Sequence, residues 1–553
     1  MTAKHWGLVV GILVVSFLTH IPALIEPSVI SGPDVRIHYQ WAVQFAASLS
    51  EGVIYPRWAS FSYLGLGDPT FLYIHPLFYY TVAAIQALTG ETWTALLWTS
   101  VIATSLASLL SYFTLRRAIG ESLAVITAIL ISLSPYTFHL TYYQQFLPMS
   151  FALPALIGYL ATLTLPSGNR RILLVAIMVG LLVISHILTA FMALLVSGPV
   201  VLARAVRSQR LDAVRTLFDY GVGVALGLGL VGIYLFPALT SQTLITPDGW
   251  YAPIHLDWRN AFLFQALTLP SFGFRWFHLQ WSIPLITLFL ILFSSAALWK
   301  TRQVKDFRWW LGSELVAIAT LALLLGSEVA YPLWADLEIF KRLQFPLRLL
   351  GIASPAAIMG FGVACSLLNQ ARSGWWAKTG VFTALALSIA MLGALEYRFM
   401  QEARPVAEIA KPSRAYKGRP EMKPATAGHA WNDYVQQGGF VEECRTLAVE
   451  CQFVREDTHD KAWQIRSDQD APIRLRLPLF WFPGWEVMIN GVLTPGRWDE
   501  QTGLLTVDVN KGITVMEARW VGIRAEQIGL GISLIALGIC LAMAVSGFIR
   551  DRR

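Results

Sequence analysis

Two acidic residues and two histidines lie in a polar, aromatic-rich stretch that follows the first apolar run of the chain. Asp34 comes a few residues after that run, His38 follows one helical turn later, and Asp68 and His75 come further along. A carboxylate at a membrane surface is costly unless it is solvated or paired, so it is a candidate functional group. We predict that Asp34 is a general base with His38 as its neighbour, and that Asp68 and His75 contact substrate.

Basic residues that could bind a phosphate group occur both in this stretch and much later in the chain. Arg57 stands in a PRW triplet, and Arg348 ends the sequence QFPLR, with Lys341 and Arg342 as its rivals just before it. The developing charge of a phosphate leaving group is stabilised by guanidinium or ammonium groups. We therefore predict that these four cations bind substrate.

Each of these residues also has a structural interpretation, which the sequence leaves open. Asp34 could cap a helix that begins near Val35, because aspartate is favoured at the N-cap. Arg57 with Trp58 is typical of an anchor at a membrane interface. Asp68 is typical of a turn after glycines, and the histidines could make structural hydrogen bonds.

The composition indicates a polytopic membrane protein. Of the 553 residues, 55% are hydrophobic and 14% are charged, whereas soluble domains carry roughly 25% charged residues. The mean hydropathy is +0.53. We predict about 12 transmembrane helices. They cover 6–26, 93–115, 120–137, 147–165, 172–186, 187–203, 217–238, 281–299, 309–327, 347–368, 379–398 and 526–548.

Lysine and arginine cluster after every second apolar run, which indicates that both termini are cytoplasmic. The clusters lie at 116–117, 170–171, 204–215, 300–308, 372–378 and 550–553. The formal charge of +7 is therefore mainly a topology signal. Because the basic residues are distributed among loops, no nucleic-acid partner is expected.

Three segments need a closer interpretation. Residues 35–50 place apolar side chains at helical spacing, which predicts an amphipathic helix along the membrane. Residues 76–90 are apolar but short and fit an interfacial helix. The apolar stretch 172–203 is too long for one span, so we predict two short helices that meet near Ser185 and His186.

The segment 399–525 is the part that resembles a soluble domain. It follows the predicted transmembrane domain 1–398, which includes an exported loop at 27–92. The last helix and the tail, at 526–553, come after it. From about residue 440, short runs of alternating hydrophobicity bounded by Pro-Gly and Asn-Gly predict a small antiparallel β-sandwich. Cys444 and Cys451 lie in this exported part, where a local disulfide is plausible.

Several pieces together resemble a known family. They are the acid and histidine after the first helix, the PRW triplet, the segment GLGDPTFLYIHPLFYY, the sequence LQFPLRLLG, and FWFPGWEVMING before the last helix. In this order they resemble the bacterial membrane proteins labelled 6-pyruvoyl-tetrahydropterin synthase related and their YfhO-like relatives. The sequence contains no soluble pterin-synthase domain and no zinc-binding histidine trio, so pterin chemistry is not expected.

The resemblance implies a glycosyltransferase of the GT-C fold in the bacterial inner membrane, with its site facing the periplasm or exterior. Such enzymes take a sugar from a polyprenyl-phosphate carrier in the membrane lipid and pass it to a glycan, lipid or protein acceptor. Asp34 matches the family's acid by position, whereas the family commonly has an aromatic residue where this chain has Asp68. Inversion and retention both stay open.

The resemblance also bears on cofactors and on rival functions. Metal-dependent members of this fold suggest Mg or Mn bound by Asp34 and a distant acid, although no metal motif is readable. No nucleotide-binding fingerprint occurs, which fits a lipid-linked donor. The rivals are a transporter or flippase, and a non-catalytic assembly protein, for lipid-linked glycans. A flippase is disfavoured because no internal repeat is found.

Overall fold

The computed structural model describes residues 3–25, 28–29, 33–246, 257–265, 277–304, 306–405 and 418–551. In this part of the chain, ten helices are long and apolar enough to cross a membrane. They are Thr92–Ile119, Glu121–Gln144, Leu147–Thr164, Ile187–Arg207, Arg210–Leu230, His278–Lys300, Phe307–Gly326, Pro346–Gln370, Gly374–Glu402 and Arg524–Gly547. The predicted polytopic helical architecture is therefore confirmed.

The predicted count of 12 spans includes two helices that are shorter than these ten. The predicted spans 6–26 and 172–186 correspond to Ala3–Leu18 and Asn169–Ser185, with 16 and 17 residues. At 1.5 Å per residue such helices are about 25 Å long, less than the ~30 Å of a hydrocarbon core. The count of 12 stays a prediction.

The long apolar stretch divides where the sequence indicates. The helices Asn169–Ser185 and Ile187–Arg207 meet at His186, whose extended backbone (φ −164°, ψ 101°) cannot continue a helix. The His186 ring accepts a hydrogen bond from the Thr189 backbone N–H at 3.2 Å and so caps the second helix. Most of the shorter helices lie in loops: Ile21–Ile25, Thr70–Tyr73, Gly232–Thr240, Tyr331–Asp336 and Glu338–Lys341.

The first exported loop contains two longer helices that pack on each other. The loop helix, Pro33–Ser50, contacts the helix Leu77–Thr89. Phe45 of the loop helix lies edge-on to Tyr80, with ring centroids 4.9 Å apart. Most side chains of the loop helix are buried within the protein, so it is packed in the fold and does not lie freely along a membrane surface.

The segment 418–525, here called the β-domain, contains two antiparallel sheets. The first sheet has the strand order β3-β4-β10-β6-β7 and the second has the order β5-β9-β8. The strands are β3 Glu450–Glu456, β4 Asp460–Ser467, β5 Ile473–Phe480, β6 Trp485–Ile489, β7 Val492–Thr494, β8 Arg497–Trp498, β9 Leu504–Val509 and β10 Gly512–Trp520. Two further strands pair the first loop with the end of a span: β1 Ser28–Val29 and β2 Arg404–Pro405.

Local sequence explains two features of the β-domain. In β5, Ile473 and Leu475 are buried whereas Arg474 points outward, because successive side chains of a strand face opposite sides. The strands β6 and β7 are joined by Asn490 and Gly491, both with positive φ (50° and 76°). This is the geometry of the two-residue hairpin that Asn-Gly predicts.

The last helix closes the structure against an earlier part of the chain. The helix Arg524–Asp551 packs on Gly232–Thr240, where Gly529 lies so close that an added Cβ would come within 2.4 Å of the Gly232 carbonyl oxygen. Small residues allow such close backbone approach between membrane helices. The last helix is thereby docked against the middle of the transmembrane domain.

Candidate active site around Asp34

Asp34 is the second residue of the loop helix, which begins at Pro33. It therefore lies inside the first turn and is not the N-cap. Its half-buried side chain is subject to the charges of Arg419, Arg348 and Glu421. Burial raises the pKa of the Asp34 carboxyl above its ordinary value, and the two arginines oppose that rise. Among the described residues, no hydrogen bond or ion pair occupies this carboxylate.

Arg348 lies at the start of the helix Pro346–Gln370, where a proline opens the first turn. Its guanidinium is buried with its carbon 5.0 Å from the ring centroids of both Phe146 and Phe345. One nitrogen, Nη1, donates to the Leu343 carbonyl oxygen at 2.9 Å. The buried Nε has no hydrogen-bond partner among the described residues, so the guanidinium retains donor capacity beside Asp34.

The two rivals of Arg348 lie differently. Lys341 forms an ion pair with Glu338, with Nζ 3.2 Å from the carboxylate oxygen. Arg342 is exposed at the surface. Of these three predicted cations, only Arg348 acts on the Asp34 carboxylate.

Three histidines lie close to this pair. The rings of His75 and His186 are 5.0 Å apart, and the charge of His75 acts on His38. Burial, first of all, lowers the pKa of both His38 and His75 to about 3. Both imidazoles are therefore neutral near pH 7 and can donate or accept a single proton in a hydrogen bond.

The predicted pairing of His38 with Asp34 needs correction. The Nδ1 atom of His38 forms its hydrogen bond with the Tyr79 hydroxyl at 2.8 Å. Tyr79 belongs to the helix that packs on the loop helix, so His38 links two helices of the first loop. Among the described residues, no hydrogen bond joins His38 to Asp34.

Two residues of this cluster were missed by the sequence analysis. Arg419 precedes a short 3₁₀ turn, Pro420–Met422, which contains Glu421, and the two side chains pair with 2.6 Å between Nε and Oε1. The Tyr63 hydroxyl donates to the Arg419 carbonyl oxygen at 2.6 Å and fixes the turn to the first loop. Glu421 acts electrostatically on both Asp34 and Asp68.

Asp68 is fully buried in a tight loop. Its Oδ1 accepts the Thr70 backbone N–H at 2.9 Å, as expected for an aspartate in a turn. Its backbone pairs with Ala59 in an isolated antiparallel bridge. Burial raises the pKa of Asp68 to about 7, against opposing hydrogen bonds from Thr70 and Ser62.

Arg57 is not brought into this cluster, contrary to the predicted contact with substrate. Its Nε lies 2.7 Å from a carboxylate oxygen of Glu526 on the last helix, and its Nη2 donates to the Ile233 carbonyl oxygen at 2.9 Å. The adjacent Trp58 packs edge-on to Trp485 in the β-domain core. The PRW triplet therefore joins the first loop to the β-domain and the last helix.

The described residues around Asp34 do not fit a divalent metal ion. In the described ranges, no group of three or more His, Cys, Asp or Glu side chains is arranged to hold a metal. Mg²⁺ and Mn²⁺ prefer several oxygen ligands. The charged neighbours of Asp34 include two guanidinium groups, and Glu421 is already paired with one of them. The predicted Mg or Mn is therefore not assigned to this cluster.

A narrow apolar crevice lies beside Asp34, between the loop helix and the membrane helices. Its volume is about 10 Å³, so an isoprenoid chain could enter only if the surrounding side chains moved apart. The lining residues include Val35, Trp93, Leu96, Leu97, Tyr142 and Leu147.

The remaining predicted feature, the disulfide of the β-domain, is present between Cys444 and Cys451.

Comparison with protein families gives one match. Residues 71–401 match the family described as 6-pyruvoyl-tetrahydropterin synthase related domain, a membrane protein. No curated protein gives a significant match.

Three solved structures are similar to this chain. The arabinofuranosyltransferase AftD from Mycobacteria is 18% identical with a TM-score of 0.43, and the alignment covers 71% of this chain and 27% of that chain. The Archaeoglobus fulgidus oligosaccharyltransferase, in complex with Zn and sulfate, is 15% identical with a TM-score of 0.45, and the alignment covers 70% of this chain and 53% of that chain. ArnT from Cupriavidus metallidurans, bound to undecaprenyl phosphate, is 14% identical with a TM-score of 0.29, and the alignment covers 67% of this chain and 78% of that chain. This chain thus spans about a quarter of the length of AftD and about half of the length of the oligosaccharyltransferase.

Proposed function

We propose that this chain, which belongs to the 6-pyruvoyl-tetrahydropterin synthase related family of membrane proteins, is a glycosyltransferase of the GT-C type. It would move a sugar from a polyprenyl-phosphate carrier to a glycan, lipid or protein acceptor outside the cytoplasm. The observation that carries the proposal is that a half-buried carboxylate at Asp34, with no hydrogen bond or ion pair to the described residues, lies within electrostatic reach of the buried guanidinium of Arg348.

The two groups suit the two ends of the reaction. Asp34 takes the proton of the acceptor hydroxyl as its oxygen bonds to the anomeric carbon of the sugar. The bond from that carbon to the phosphate oxygen breaks, and polyprenyl phosphate leaves with the bonding electrons. Arg348 stabilises this anion through its remaining donors. Burial raises the pKa of Asp34, which makes it a stronger base than an exposed aspartate.

The positions of basic residues at the helix ends support a site on the outer side of the membrane. The helix Thr92–Ile119 begins beside the first loop and ends in Arg116 and Arg117. The helix Ile187–Arg207 begins next to His186 and carries Arg204 and Arg207 in its last turn. By the positive-inside rule, these basic ends are cytoplasmic. The proposed site then faces the exterior of a bacterial inner membrane, with both termini inside.

The experiment is sugar transfer by the purified full chain in nanodiscs, with a panel of short-chain polyprenyl-phosphate sugars as donors. We expect Asp34→Asn to lower transfer by about 10²–10⁴-fold, the usual contribution of a general base. Asp212→Asn is the matched control, because Asp212 also lies in the first turn of a helix but is exposed. Thermal unfolding of each variant checks the fold.

Two results would contradict the proposal. Equal activity of Asp34→Asn and the wild type would remove this carboxylate from the reaction. A wild-type protein that transfers no sugar from any donor, but moves lipid-linked glycan across a vesicle membrane, would identify a flippase.

A further inference from the structure

A polar cavity lies in the β-domain, outside the Asp34 cluster. Its volume is about 490 Å³, within the roughly 300–1,000 Å³ of small-molecule sites. The helices Trp431–Gln436 and Gly439–Thr446 form one wall, and the outward face of the sheet β5-β9-β8 forms the other. Its lining includes Tyr434, Glu442, Glu443, Arg474, Arg476 and Thr506.

Glu443 gives this cavity a built acceptor group. Its side chain is only 10% exposed, and its Oε1 accepts from Arg476 through Nε at 2.9 Å and the backbone N–H at 3.3 Å. The second oxygen, Oε2, is buried and has no hydrogen-bond partner among the described residues. Buried carboxylate oxygens are rarely left without a donor. Because Glu443 lines the cavity, a ligand hydroxyl would supply the donor when the side chain turns this oxygen toward the opening.

Donor groups also line the cavity. Arg476 packs over the Tyr434 ring, with 4.8 Å from Cζ to the ring centroid, and Thr506 faces Arg476 on the neighbouring strand. The Tyr434 hydroxyl donates to the Arg476 carbonyl oxygen at 3.4 Å, which holds this wall of the cavity in place. The cavity thus offers donor groups together with the Glu443 carboxylate.

The charges of the lining favour a neutral ligand. Carboxylates at Glu442, Glu443 and Asp499 are set against guanidinium groups at Arg474 and Arg476. Arg474 is also paired with Asp508, 3.0 Å between Nε and Oδ1. A phosphate or a polyanion would meet the carboxylates, and a cation would meet the arginines. A polyhydroxylated molecule can use acceptors and donors together.

We propose that this cavity binds a neutral oligosaccharide. One sugar hydroxyl donates to the Glu443 carboxylate, and Arg476 and Thr506 donate to sugar oxygens. The inference rests on the proposed function only in identifying this oligosaccharide as the acceptor glycan. Binding itself requires no transfer reaction.

The test is direct binding to the full chain in nanodiscs by saturation-transfer NMR and calorimetry. The probes are neutral trisaccharides of glucose, galactose, mannose and arabinose. We expect saturable binding of at least one probe, and a loss of about tenfold or more in affinity for Glu443→Gln and for Thr506→Val. Thr506→Val keeps the shape of a buried strand residue, which guards against misfolding. Glu450→Gln is the control, since Glu450 is exposed on β3.

The outcomes separate this site from the transfer site. Retained binding in Asp34→Asn, together with lost binding in Glu443→Gln, supports a distinct glycan site whether or not transfer is detected. Failure of the wild type to bind any probe would overturn the inference. The proposed function would still be tested separately by the transfer assay. Equal affinity of the wild type, Glu443→Gln and Thr506→Val would also overturn it.

Discussion

Replacing Arg348 by glutamine removes the guanidinium that lies beside Asp34. The side chain packs against Phe146 and Phe345 and donates to the Leu343 carbonyl oxygen, so it is preorganised before any ligand arrives. Removing one preorganised donor from a developing anion costs about 10²–10³-fold in kcat. We expect Arg348→Gln to lose sugar transfer by that factor. Arg348→Lys keeps the charge but loses the planar fork, so its loss should be about tenfold.

A second readout separates a direct role of Arg348 from a merely structural one. The positive charge of Arg348 opposes the burial that raises the pKa of Asp34. Without that charge, the pKa of Asp34 rises further. Because the base must be deprotonated, the acidic limb of kcat/KM then moves to higher pH in Arg348→Gln. Arg348→Lys should keep the limb close to that of the wild type.

The assay is the pH dependence of transfer from a single polyprenyl-phosphate sugar, measured with full-length protein in nanodiscs. Arg372→Gln is the matched control, because Arg372 is exposed just beyond the other end of the helix Pro346–Gln370, and it should behave as the wild type. Thermal unfolding reports on the fold of each variant. Folded Arg348→Gln protein with unchanged transfer and an unchanged acidic limb would refute the role given to Arg348.

Two further predictions concern the frame around the site. Arg57→Met should destabilise the protein by about 3–5 kcal/mol, because it leaves Glu526 without its partner in a largely buried ion pair; adding Glu526→Gln should cost less than the sum of the single changes, as a double-mutant cycle of unfolding would show. Burial raises the pKa of Asp68 from 3.8 to about 7, so the folded state holds a proton that the unfolded state releases, and stability should fall as the pH rises from 4 through 7. Asp68→Asn should flatten that pH dependence of the melting temperature, and an unchanged slope would contradict the raised pKa.

Local patterns predicted those parts of the fold that depend on neighbours in sequence. The stretch 172–203 had to break because its length suits neither one span nor two full ones, and the break is at His186. The Asn490-Gly491 hairpin follows from the backbone angles that these two residues tolerate. Asp34 was recognisable because an acid immediately after a span is costly unless it has a function or a partner.

The parts that could not be predicted depend on contacts between distant segments. Arg419 and Glu421 lie in a stretch whose sequence is typical of an irregular loop, and no spacing indicates that their turn returns to the first loop. Arg57 beside Trp58 has the pattern of an interface anchor, yet its partner Glu526 is on the last helix. Side-chain chemistry alone does not reveal which distant segment supplies a partner.

The contacts of the PRW triplet also determine the order in which parts of the protein can fold during synthesis. Arg57 and Trp58 leave the ribosome early, whereas His459, which accepts both of their backbone N–H groups, and Glu526 are synthesised near the end. The first loop can therefore complete its packing only after the last helix has entered the membrane and docked through Gly529. Nascent or truncated chains would lack a finished loop around Asp34, so the proposed site forms only once the last helix has been synthesised.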